Sequence, residues 1–120
     1  MIMKKILVVD DDVDILTLVQ TLLSIHDFNV EAILRWEDID NRISTFRPDL
    51  VLLDVSLSGA DGREICKKIK QAKETENLPV ILFSANSEMG HYVQECRAET
   101  FIAKPFELGN FLQTIRTYLN

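Results

Sequence analysis

Ile6-Leu7-Val8-Val9-Asp10-Asp11 decides how this chain is read: four apolar residues ended abruptly by two carboxylates. The same form returns three times. Leu50-Val51-Leu52-Leu53 stops at Asp54, Val80-Ile81-Leu82-Phe83 at Ser84, and Phe101-Ile102-Ala103 at Lys104-Pro105. Short apolar runs with polar ends read as strands buried on both faces of a parallel sheet. Ligands of such sheets bind outside the carboxyl ends of the strands. The runs therefore predict that Asp10, Asp11, Asp54, Ser84 and Lys104 meet at one end of one sheet.

Helix-like segments alternate with the runs. Ile15, Leu16, Val19, Leu22 and Leu23 share one face of a first helix. A weaker strand near Asn29 to Leu34 leads to a second helix carrying Trp36, Ile39, Ile43 and Phe46, broken at Pro48. A polar loop from Ser56 to Ala60 precedes a third helix showing Ile65, Ile69 and Ala72. A fourth is expected at about Glu88 to Arg97, with Met89, Val93 and Cys96 on one side. Strand five ends at Lys104, and Leu108, Phe111, Leu112, Ile115 and Leu119 form the stripe of the last helix. Five βα units with right-handed crossovers give a doubly wound α/β sandwich. The chain is too short for an eight-stranded barrel.

The 120 residues suit one domain over 1–120, and an apolar content of 47% supplies a core without metal or disulfide staples. Cys66 and Cys96 lack metal-ligand spacing and read as reduced thiols in a cytoplasmic protein. No apolar stretch reaches membrane length. Thirteen basic against nineteen acidic residues give a net charge of −6, which argues against direct nucleic-acid binding.

Asp10, Asp11 and Asp54 carry −3, and Lys104 returns +1. Crowded carboxylates do not all stay ionised without compensation. Oxygen ligands with no nearby His or Cys favour Mg²⁺, or Mn²⁺, over zinc. Capping of the first helix by Asp10 to Asp12 is the plainer account of the acidic trio. A carboxylate can also attack phosphorus and become an acyl phosphate. Asp54, alone at its strand end, suits that role, and the Asp10-Asp11 pair suits a metal platform. Glycine-rich phosphate loops are absent, and neither His26 nor His91 ends a strand.

From about Lys4 to Leu119 the chain resembles the receiver domain of bacterial two-component response regulators. The resemblance lies in Val8-Val9-Asp10-Asp11, Leu53-Asp54 with Asp61-Gly62 downstream, Ser84-Ala85 and Lys104-Pro105-Phe106. It implies a flavodoxin-like sheet of strand order 2-1-3-4-5. It implies that Asp54 accepts a phosphoryl group from a histidine kinase or histidine phosphotransfer protein. Asp11, Asp54 and the Ser56 carbonyl would ligate Mg²⁺, with Asp10 acting through a metal-bound water. Lys104 and Ser84 would contact the phosphoryl group, and the Lys104-Pro105 bond would be cis. Ser84 and Phe101 match the switch pair, whose movement alters the face of fourth helix, fifth strand and fifth helix for an output partner, an effector domain or a second copy. The domain would be no enzyme beyond its own phosphorylation and dephosphorylation.

The chain departs from the family pattern in two places. Ser58 stands where the family has proline, so that loop is expected to be looser. Arg97 stands where the family has a glycine suited to positive φ. Asp12 reads as a cap and Cys96, Tyr92 and Ile102 as packing; Ser56 and Asn86 would flank the path of an attacking water. A phosphatase is disfavoured because Ser56, not a second Asp, stands two residues after the nucleophile. The same layout would also suit an interaction module with a vestigial site. A flavin-binding version of the fold is disfavoured, since the acidic strand ends would repel a flavin phosphate.

Overall fold

The computed structural model describes residues 3–85 and 93–119. Five parallel strands, β1 (Lys5–Val9), β2 (Asn29–Ile33), β3 (Leu50–Asp54), β4 (Val80–Ser84) and β5 (Thr100–Ala103), form one sheet in the order β2-β1-β3-β4-β5. This is the doubly wound, flavodoxin-like order. α1 (Val13–Ile25) and α5 (Leu108–Thr117) cover one face. α2 (Ile39–Phe46), α3 (Gly62–Gln71) and α4 (Val93–Cys96) cover the other.

Alternation along the strands builds both cores. Ile6, Val8, Leu50, Leu52, Ile81 and Phe83 face Leu16, Val19, Leu23, Phe111, Leu112 and Ile115. Leu7, Val9, Val51, Leu53, Val80 and Leu82 face Ile39, Cys66, Ile69 and Cys96. Register then levels the strand ends. Val9 partners Leu53, Asp54 partners Phe83, and Ser84 partners Ala103. Asp10, Asp54, Ser84 and Lys104 follow on a common line.

Four expectations change. Strand five ends at Ala103 rather than Lys104. Trp36 lies in a single 3-10 turn, Trp36–Asp38, ahead of α2. Leu108 opens α5 but stays 41% exposed and off the core stripe. The expected loop after β3 contains a two-residue antiparallel ribbon, Ser56–Leu57 against Ala60–Asp61. Asn86, Glu88, Met89, His91 and Tyr92 lie outside the described residues.

Local chemistry explains the helix ends. The Asp12 carboxylate accepts from the N–H groups of Asp14 and Ile15 and caps α1; Glu107 does the same for α5 through Gly109 and Asn110. Arg47, before Pro48, is left-handed with φ 54. Arg97 also has φ 64, so it adopts the glycine-favouring conformation despite its side chain. Both cysteines are free and buried, as expected. The Cys66 thiol donates to the Cys96 carbonyl at 3.3 Å. Burial, then neighbouring Cys96, push the Cys66 thiol far above its ordinary range, so it stays protonated.

Candidate functional site

Carboxylate oxygens of Asp10, Asp11 and Asp54 lie within 4.8 Å of one another at the carboxyl end of the sheet. Asp10 and Asp54 are buried and Asp11 is exposed. Lys104, the first residue past β5 and joined to Pro105 by a cis bond, reaches into the cluster. Its ammonium donates to Asp10 Oδ2 at 2.8 Å and to Asp54 Oδ1 at 3.2 Å. The Lys104 Nζ also stands 4.6 Å from the centre of the Phe83 ring, whose face attracts a cation. Phe83 was legible only as a strand residue.

Asp10 Oδ1 accepts from the Asp12 N–H at 2.9 Å. Asp10 is thus held by its own turn and by Lys104, while Asp12 serves α1. Capping therefore accounts for Asp12 and leaves Asp11 and Asp54 to the cluster. Ser84 is buried at the end of β4, and its carbonyl accepts the Lys104 main-chain N–H at 2.8 Å. Ser56 opens the exposed side of the ribbon beyond Asp54. Phe101 partners Leu82 in β5 and packs half-buried against the α2–α3 core. The structure thus brings Asp10, Asp11, Asp54 and Lys104 together, with Ser84 and Ser56 on adjoining segments and Phe101 further along β5.

Burial, then the charge of Asp10, raise the Asp54 carboxyl from 3.8 to about 6, against the opposing pull of Lys104. Burial draws the Lys104 ammonium down, but the hydrogen bond to Asp10 and the charges of Asp54 and Asp10 outweigh it and hold its pKa above the usual value. One ammonium thus faces three carboxylates. The unbalanced negative charge, offered entirely by oxygen ligands at short range, fits a hard divalent cation such as Mg²⁺.

Gly62 sets the other wall. A Cβ there would lie 2.2 Å from the Asp54 carbonyl oxygen, so a side chain is excluded. Its N–H donates to the Val55 carbonyl at 2.8 Å, and the Asp61 carboxylate caps α3 through the Arg63 N–H. The Asp61-Gly62 pair thereby closes the loop behind Asp54.

A five-stranded doubly wound sheet with a lysine-bridged acidic cluster at its carboxyl end defines a recognisable class of signalling module. The chain belongs to the response regulator receiver domain family of two-component signalling, whose pattern matches residues 6–116. The phosphate regulon transcriptional regulatory protein PhoB of Rhizobium meliloti is 32% identical over 117 residues, covering 96% of this chain and 52% of that protein. The alkaline phosphatase synthesis transcriptional regulatory protein PhoP of Bacillus subtilis is 37% identical over 105 residues, covering 86% and 43%. The chain therefore spans about half the length of these curated relatives. Among solved structures, the BeF3-activated N-terminal receiver domain of Klebsiella pneumoniae RstA superposes with a TM-score of 0.88 at 28% identity, covering 98% of this chain and 99% of that one. Among the described residues no helix is long and apolar enough to cross a membrane.

Proposed function

We propose that Asp54 is a phosphoacceptor whose modification switches the partner-binding face of this domain. The observation that carries this reading is the cluster itself: three carboxylates within 4.8 Å, bridged by Lys104. The donor is a phosphohistidine of a kinase or of a histidine phosphotransfer protein. An oxygen of Asp54 attacks phosphorus as the P–N bond breaks. The bond pair stays with the imidazole nitrogen, which takes up a proton, and an acyl phosphate remains on Asp54.

With a pKa of about 6, Asp54 is still ionised roughly ten to one at pH 7 and so retains its nucleophilic form. Asp11, Asp54 and the Ser56 carbonyl would hold Mg²⁺, or Mn²⁺, with Asp10 reached through water. The cation would supply charge stabilisation to phosphoryl oxygens. Lys104 gives up its bond to Asp54 and takes one oxygen of the transferred group, and the Ser84 hydroxyl takes another. Movement of Ser84 makes room for Phe101 and alters the face formed by α4, β5 and α5, where an output protein, an effector domain or a second copy engages. No turnover beyond self-phosphorylation and self-dephosphorylation is expected. The transcriptional roles in the names of PhoB and PhoP fit an output toward transcription, carried by an effector domain or a partner rather than by this acidic receiver domain.

Incubation with a small acyl-phosphate donor and Mg²⁺ tests the reading by mass. Wild type should gain one phosphoryl group, and Asp54→Asn should gain none. No gain on wild type would favour a vestigial module instead.

A further inference from the structure

Trp36, the one tryptophan of the chain, stands outside the acidic cluster on the turn after β2. Its indole Nε1–H donates to the Ser58 carbonyl at 3.0 Å, across 22 residues. Ser58 and Gly59 form the tip of the ribbon that follows Asp54. Gly59 has φ 83, and a Cβ there would lie 3.8 Å from the Trp36 nitrogen. The indole edge therefore sits directly on this tip.

The ribbon needs such support. Its ladder is only two pairs long, Ser56 with Asp61 and Leu57 with Ala60, and a short two-stranded hairpin is marginal in water. Its turn is also the wrong kind for a hairpin. Positive φ at Gly59 without positive φ at Ser58 matches a type II turn, whose twist splays the strands it joins. The base is fixed elsewhere, by the Gly62 N–H to the Val55 carbonyl and by buried Leu57. Trp36 holds the tip.

Resting on the phosphoacceptor reading, we propose that Trp36 is a positioning residue for the acidic site. Its N–H pins the Ser58–Gly59 turn and so orders the main chain of Ser56, two residues beyond Asp54. A segment ordered in advance does not lose that freedom when a cation binds, so the ordering appears as affinity. Trp36→Phe isolates the N–H. The phenyl ring keeps the packing against the α2–α3 core, and the hydrogen bond to Ser58 lies at an exposed position, where water can replace the donor.

Two measurements test this. In metal-free Trp36→Phe, amide hydrogen exchange across residues 56–61 should quicken about tenfold, while β3 is unchanged. Half-saturating Mg²⁺ for acyl-phosphate labelling should rise three- to tenfold, with the rate at saturating Mg²⁺ unaltered. Ser58→Pro keeps the accepting carbonyl at a turn position that tolerates proline, and both readouts should stay within twofold of wild type. Unchanged exchange, or an unchanged half-saturation, in Trp36→Phe overturns the inference alone. A wild-type chain that takes no phosphoryl group at any Mg²⁺ concentration overturns the reading of the site and this inference with it.

Discussion

Two lysines turn their ammonium groups inward, one at each end of the sheet, and the company they keep differs. At the amino end Lys70 is 5% exposed and donates to Glu99 at 2.8 and 3.0 Å and to the Leu78 carbonyl at 2.8 Å. Glu99 also accepts the Val80 N–H at 2.7 Å, and Arg97 donates to the Lys70 carbonyl at 2.9 Å. One cation meets one anion, and all three ammonium protons are used. At the carboxyl end Lys104 is shared between two buried carboxylates, with a third beside them. The first arrangement is electrically closed and serves the fold. The second is left short of positive charge and suits a cation.

Breaking the closed end should cost most. Lys70→Met strips Glu99, itself 28% exposed, and the Leu78 carbonyl of their shared donor, and losing hydrogen bonds of this charged kind costs about 3 kcal/mol. Urea unfolding should show that loss, with Asp54 still able to take up a phosphoryl group in the folded fraction. A loss below about 1 kcal/mol would mean that the two ends are not so different.

Relieving the open end should do the opposite. The folded chain holds the Asp54 proton more tightly than the unfolded one, because the carboxyl is raised from 3.8 to about 6. The contribution of Asp54 to stability is therefore fullest below pH 3.8 and is lost as pH rises to about 6. A shift of that size corresponds to at most about 3 kcal/mol. In metal-free buffer Asp54→Asn should exceed wild type in stability at pH 7, with the advantage shrinking between pH 6 and 4. An advantage independent of pH would show that charge is not its source.

The smallest effect is expected at Asp12, which adjoins the open end without belonging to it. Asp12→Ala removes a helix cap and should cost about 1 kcal/mol in thermal or urea unfolding, while phosphoryl uptake proceeds as in wild type. Loss of uptake would draw Asp12 into the site.

Much of this contrast was legible in the chain, but unevenly. The open end was readable because each of its members closes an apolar run, and parallel register carries run ends to one level. The closed end was not. Lys70 follows Ile69 on a strongly amphipathic helix, where a lysine ordinarily points to water, and its partner lies 29 residues away. Trp36 and Ser58 were equally hidden, since a hydrogen bond from a turn to a main-chain carbonyl leaves no trace in periodicity. The ribbon at 56–61 is too short to alternate. Arg97 was visible only as a residue where glycine was expected; the left-handed φ shows the backbone demand persisting while the side chain is used to tie α3.

Gly62 has a mechanical consequence. With no room for even a methyl group between it and the Asp54 carbonyl, the first turn of α3 bears directly on the peptide of Asp54, and the Gly62 N–H ties it to the next one. There is no slack in that joint. A displacement of α3, whose exposed face carries Glu64 and Lys68, would meet the Asp54 backbone with no side chain in between.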